Sequence, residues 1–119
     1  MSKSIVSITK YEKPLDSARK AIEDSNLFED ISKDAKVFIK PNIVYWNRHC
    51  VFPKWGVITT SRVIEDIVIL LKEQGINDIT IGEGIVTENA RDKETPADAF
   101  EKLGYNILKE RYNIKVLNT

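Results

Sequence analysis

The chain has 119 residues, with 18 Lys plus Arg set against 18 Asp plus Glu and a formal net charge of 0. That length is one domain's worth and buries a core without staples, while the charge balance offers no global field for nucleic acid or an anionic membrane. The single cysteine, Cys50, excludes an internal disulfide, and no cysteine spacing marks a zinc or iron–sulfur site.

Residues 4–10 (SIVSITK) are short, β-branched and bounded by polar residues, which predicts a first strand. Pro14 suits the first turn of a helix, and Leu15, Ala18 and Ile22 follow at helical spacing. Leu27, Phe28 and Ile31 add a further turn that packs on the sheet. Residues 36–40 (KVFIK) read as the second strand, ended by Pro41, which removes a donor and pushes Lys40 toward an extended shape. Residues 42–58 show no period and contain Pro53 and Gly56; a connection that long is often functional.

Thr59, Thr60 and Ser61 supply hydroxyls for a helix N-cap. Ile64, Ile67, Val68 and Leu71 form a helical stripe that Gly75 terminates. Residues 77–82 (NDITIG) predict the third strand. Pro96 opens a helix through Phe100 and Leu103, Gly104 interrupts it, and residues 105–112 resume it. Residues 114–117 (IKVL) give a fourth strand.

The order β-α-β-α-β-α-β over residues 1–119 reads as a single α/β domain. The expected architecture is three-layered: a mostly parallel four-stranded sheet with helices on both faces and right-handed crossovers. An α+β arrangement is the competing reading. Ligands of open α/β sheets bind beyond the carboxyl ends of the strands, and that edge is expected to collect Lys10 and Tyr11, the 40–58 loop, residues 83–89 and Asn118. The start lacks the apolar run of a signal peptide, and the longest apolar stretch, residues 67–71, is too short to span a bilayer. A reducing, cytoplasmic setting is the expectation.

Each candidate residue has a chemical and a plain reading. Lys40 with Asn42 suits an anion such as carboxylate or phosphate; the plain alternative is a strand stop followed by a turn. Thr59, Thr60 and Ser61 suit an anion at a helix start, or simple capping. No Walker A loop and no GxGxxG is present. Glu83, between Gly82 and Gly84, suits a metal or a base, or is a polar residue facing water. Glu88, Asp92 and Glu94 read as solvated surface. Trp46, Arg48, His49, Phe52 and Trp55 form a cluster around Cys50. It reads as a ligand-stacking loop, as a loop pinned to the body, or as a partner surface for a homodimer. A redox role for Cys50 is a third reading.

The series IKPNIV at residues 39–44, GVITTSRVIEDIVILLKEQG at residues 56–75 and ITIGEG at residues 79–84 resembles the amino-terminal part of domain-of-unknown-function family 362. The resemblance covers most of residues 5–117. It implies a strand ending in Lys-Pro-Asn, a Thr-rich helix start, and a strand ending in Gly-Glu. Ser61 and Arg62 stand where that family often has proline. Members are usually longer, so the expectation is an amino-terminal portion of a longer architecture. The clustered cysteines that some relatives carry have no counterpart here, and the resemblance brings no cofactor and no reaction. Together these readings predict a site for a small anionic molecule at the carboxyl edge. Lys40, Asn42, Thr59, Thr60 and Ser61 would hold the anion and Glu83 a metal or water. The alternative is an interaction module without catalytic activity.

Overall fold

A run of alternating Ile and polar residues forms the middle of the sheet: β2, Asp78–Glu83, buries Ile79 and Ile81 on one face. The computed structural model describes residues 3–49, 58–87, 89 and 91–119. β1, Lys36–Ile39, lies parallel to β2 on one side, and β3, Lys115–Asn118, lies parallel to it on the other. The order is β1-β2-β3. Lys36 pairs with Asp78 and Ile39 with Ile81; Thr80 pairs with Lys115 and Glu83 with Asn118. A single parallel bridge between Tyr45 and Val86 carries the β1–β2 pairing past the strand ends.

The helices form where the spacing predicts. α1 is Asp16–Ser25 and α2 is Ser61–Glu73. α3 is Glu94–Lys102 and α4 is Tyr105–Tyr112. Thr60 caps α2 by accepting the Arg62 N–H at 3.3 Å. Gly75 follows the helix end at φ 84°, a left-handed conformation that glycine adopts without a steric penalty. Gly104, at φ 80°, separates α3 from α4 in the same way.

One core holds the layers together. Val68, Leu71, Ile76, Ile79 and Ile81 are fully buried, with Ile43, Tyr105 and Phe100 in the same cluster. Each such side chain contributes roughly 1.5–3 kcal/mol relative to exposure. Val37, Ile39 and Val116 extend the inner face of the sheet into this cluster.

Two expectations need correction. Residues 4–10 form no strand, so the described sheet has three strands rather than four. Ile5, Val6 and Ile8 are 54%, 82% and 94% exposed. A strand is stable only when a neighbour takes its backbone bonds, and this segment has no strand neighbour among the described residues. Nor do helices cover both faces. The four helices make one contiguous layer, with α1 packed on α2, α2 on α4, and α4 on α3. On the outer face Phe38 and Leu117 stay half exposed. Among the described residues the molecule is therefore two-layered. No described helix is long and apolar enough to cross a membrane.

Candidate functional site

The carboxyl edge of the sheet is organised by one buried carboxylate. Glu83 ends β2 and is only 6% exposed. Its Oε2 accepts the Ile43 N–H at 3.1 Å and the Lys40 ammonium at 3.1 Å; its Oε1 accepts the Gly84 N–H at 2.9 Å. Burial opposes the charge of Glu83, but the Ile43 N–H, Lys40 and the Gly84 N–H outweigh it. Together they hold the carboxyl below its ordinary value. Lys40 is 63% exposed at its side chain, so its outer hydrogens face water.

The start of α2 joins the same rim through backbone bonds. The Asn42 N–H donates to the Thr59 hydroxyl at 3.0 Å, and the Thr59 N–H donates back to the Asn42 carbonyl at 3.0 Å. Lys40, Asn42, Thr59, Thr60 and Glu83 thus meet at one edge, as parallel strands require. Within that edge the bonds serve to fasten the chain. Thr60 caps a helix, Thr59 staples a loop, Ser61 is the first residue of α2, and both oxygens of Glu83 are engaged. Among the described residues no group of three or more His, Cys, Asp or Glu stands where it could hold a metal ion.

A second structure lies just beyond this fastening. Tyr45, Trp46, Asn47, Arg48 and His49 face Val86, Thr87, Asn89, Asp92 and Thr95 across a cleft of about 480 Å³. Trp46 is its floor. It is 4% exposed, and its indole N–H donates to Asp98 at 2.8 Å, which holds the Asp98 carboxyl below its usual range. The buried indole thus ties this loop to α3. Arg48 donates through Nε to the Thr95 hydroxyl at 3.0 Å and through Nη1 to Glu94 at 2.9 Å. His49 is exposed at the cleft wall. Cys50, Phe52 and Trp55, and Glu88 with them, lie outside the described residues.

Three participants escaped the sequence reading. Asp92 is more than solvated surface: it accepts the Glu94 and Thr95 N–H groups and the Thr95 hydroxyl, fixing the start of α3 against the cleft. The signal was present in Asp92 standing three residues before Thr95, just ahead of Pro96. Tyr105 is fully buried, and its hydroxyl has no hydrogen-bond partner among the described residues. Burial first, and then the nearby charge of Glu83, push this phenol up. Asp66, on the buried stripe of α2, accepts the Tyr11 hydroxyl at 2.7 Å. Nothing in sequence spacing links either of these last two to its neighbour.

One comparison with known proteins gives a match. A family model described as "Domain of unknown function (DUF362)" matches residues 37–119, more than half of the chain. The Lys40-Pro41-Asn42 and Gly82-Glu83-Gly84 segments both fall inside it. No curated protein and no solved structure matches.

Proposed function

We propose, from the premise that this chain belongs to the DUF362 family of domains of unknown function, that its carboxyl edge binds a small anionic molecule. The ligand sits in the cleft between Tyr45–His49 and the residues Val86, Thr87, Asn89, Asp92 and Thr95. The observation that carries this reading is the position of Arg48 on the wall of that preformed cleft, beyond the ends of two parallel strands. Its size falls in the range of small-molecule sites, roughly 300–1,000 Å³.

The chemistry follows from the groups present. Arg48 offers a planar fork of donors suited to carboxylate or phosphate. Its present partner, Glu94, is 79% exposed at the side chain, so that ion pair is weak and replaceable. A ligand anion that displaces Glu94 meets the guanidinium while Thr95 keeps it oriented. His49, Asn47 and Asn89 add polar contacts, and Tyr45 and Val86 add an apolar wall. The Lys40–Glu83 lock, buried only at its carboxylate, then serves to hold the 40–46 segment in place.

The test is a thermal-shift and calorimetric titration of the purified chain with phosphate, di- and tricarboxylates and sugar phosphates. Binding by one member, weakened tenfold or more in Arg48→Ala and strengthened in Glu94→Gln, is the expected result. An inert panel, or binding indifferent to Arg48→Ala, overturns the reading.

A further inference from the structure

Residues 4–10 have strand chemistry but no strand partner among the described residues. Paired as a strand, the segment would present Val6 and Ile8 on one side and Ile5 on the other, because side chains alternate along extended backbone. All three are exposed, Val6 and Ile8 almost completely. Exposed β-branched residues in a row are unusual for a surface with no binding role.

The same chain carries a matching acceptor. β1 is an edge strand, paired only with β2, so its other row of backbone groups has no ladder partner among the described residues. It is also poorly covered on both faces: Phe38 is 51% exposed on the outer face, and Val37 and Ile39 are only partly buried on the inner one. A further strand on that edge covers all three.

Past the donor, the chain is anchored before it enters α1. Leu15 sits at φ 67° and ψ −50° immediately before α1. A bulky residue there is a true outlier and costs of the order of 1–3 kcal/mol. Tyr11, hydrogen-bonded to Asp66 on α2, holds the base of the segment on the helical layer. Residues 4–10 lie beyond this anchor, largely exposed and available for exchange between copies. The formal net charge of 0 leaves no repulsion to oppose it.

We propose that residues 4–10 of one molecule add as a strand to the open edge of β1 in a second copy, and that the exchange is mutual. Backbone hydrogen bonds supply the affinity and the alternating Ile5, Val6 and Ile8 supply the fit, as in other strand-addition contacts. The occupant of the edge is thus this chain itself.

Light scattering on the intact chain over a wide concentration range tests it. The expected mass at the upper end is twice the 13.6 kDa of one chain. Val6→Asp combined with Ile8→Asp changes two surface side chains, so the circular dichroism stays the same while the mass returns to that of one chain. Phe38→Asp does likewise from the acceptor side. A single-chain mass at every concentration overturns the proposal. So does a dimer that survives the Val6→Asp, Ile8→Asp change, since that dimer uses another surface.

Discussion

Lys40 and Glu83 meet at 3.1 Å although 43 residues separate them in the chain. The pair joins the end of β1 to the end of β2, and the Ile43 N–H on the same carboxylate oxygen turns the contact into a clamp on the following loop. The two partners are unequal. Glu83 is buried and Lys40 is largely in water, so the clamp belongs to the carboxylate.

That asymmetry sets the first expected outcome. Glu83→Ala leaves the Ile43 and Gly84 N–H groups without their acceptor and should cost about 2–4 kcal/mol. Lys40→Ala removes only a solvated partner and should cost about 1 kcal/mol or less. Urea denaturation of both variants checks the order; equal losses would show that the ammonium carries the clamp.

The same carboxylate sets an acid limb. Its folded value lies below the ordinary 4.5, so the unfolded chain takes up the proton first as pH falls. The stabilisation is complete above the unfolded value and is lost as pH drops through the folded one. Urea midpoints measured from about pH 7 to about pH 3 should fall less steeply in Glu83→Gln than in the parent. Parallel curves would remove Glu83 from the acid transition.

On the outer face, Gly82 owes its identity to Phe38. A Cβ built on Gly82 would stand 2.5 Å from the Phe38 ring and 3.0 Å from the Leu117 carbonyl oxygen. Gly82→Ala should therefore destabilise by about 1–3 kcal/mol. Adding Phe38→Ala should recover part of that loss, giving a coupling energy of about 0.5 kcal/mol or more in a double-mutant cycle. Strict additivity would show that the ring yields freely.

At the cleft floor, Trp46→Ala empties a core position and frees the loop above it. A loss of about 3–5 kcal/mol is expected. Trp46→Phe keeps most of the volume but drops the hydrogen bond to Asp98, and should cost less. Chemical denaturation of the two variants separates packing from the bond. Equal losses would mean that the indole N–H is what holds the loop.

Leu15 offers a stabilising change. Its φ of 67° is one that glycine adopts without strain. Leu15→Gly should raise stability by about 0.5–1 kcal/mol, read as a higher urea midpoint. A lower midpoint would show that the half-buried leucine side chain contributes more than its backbone costs.

Much of this protein is determined by short-range pattern. The period of Ile64, Ile67, Val68 and Leu71, the stop at Gly75, the β-branched run ending at Gly82 and the break at Gly104 each act within a few residues, and each element forms where they place it. Strands alternating with helices are enough to specify parallel pairing, so Lys40, Thr59 and Glu83 were bound to reach one edge. Tertiary structure decided the rest, because it turned on what lies across a gap rather than along the chain. Residues 4–10 have the composition of a strand, yet that composition names no neighbour, and the described residues provide none. Whether Glu83 met water or a buried clamp, and whether Trp46 faced a partner or Asp98, depended on contacts spanning 40 and 52 residues. Local propensity falls off within a turn or two, and only packing brings such distant groups together.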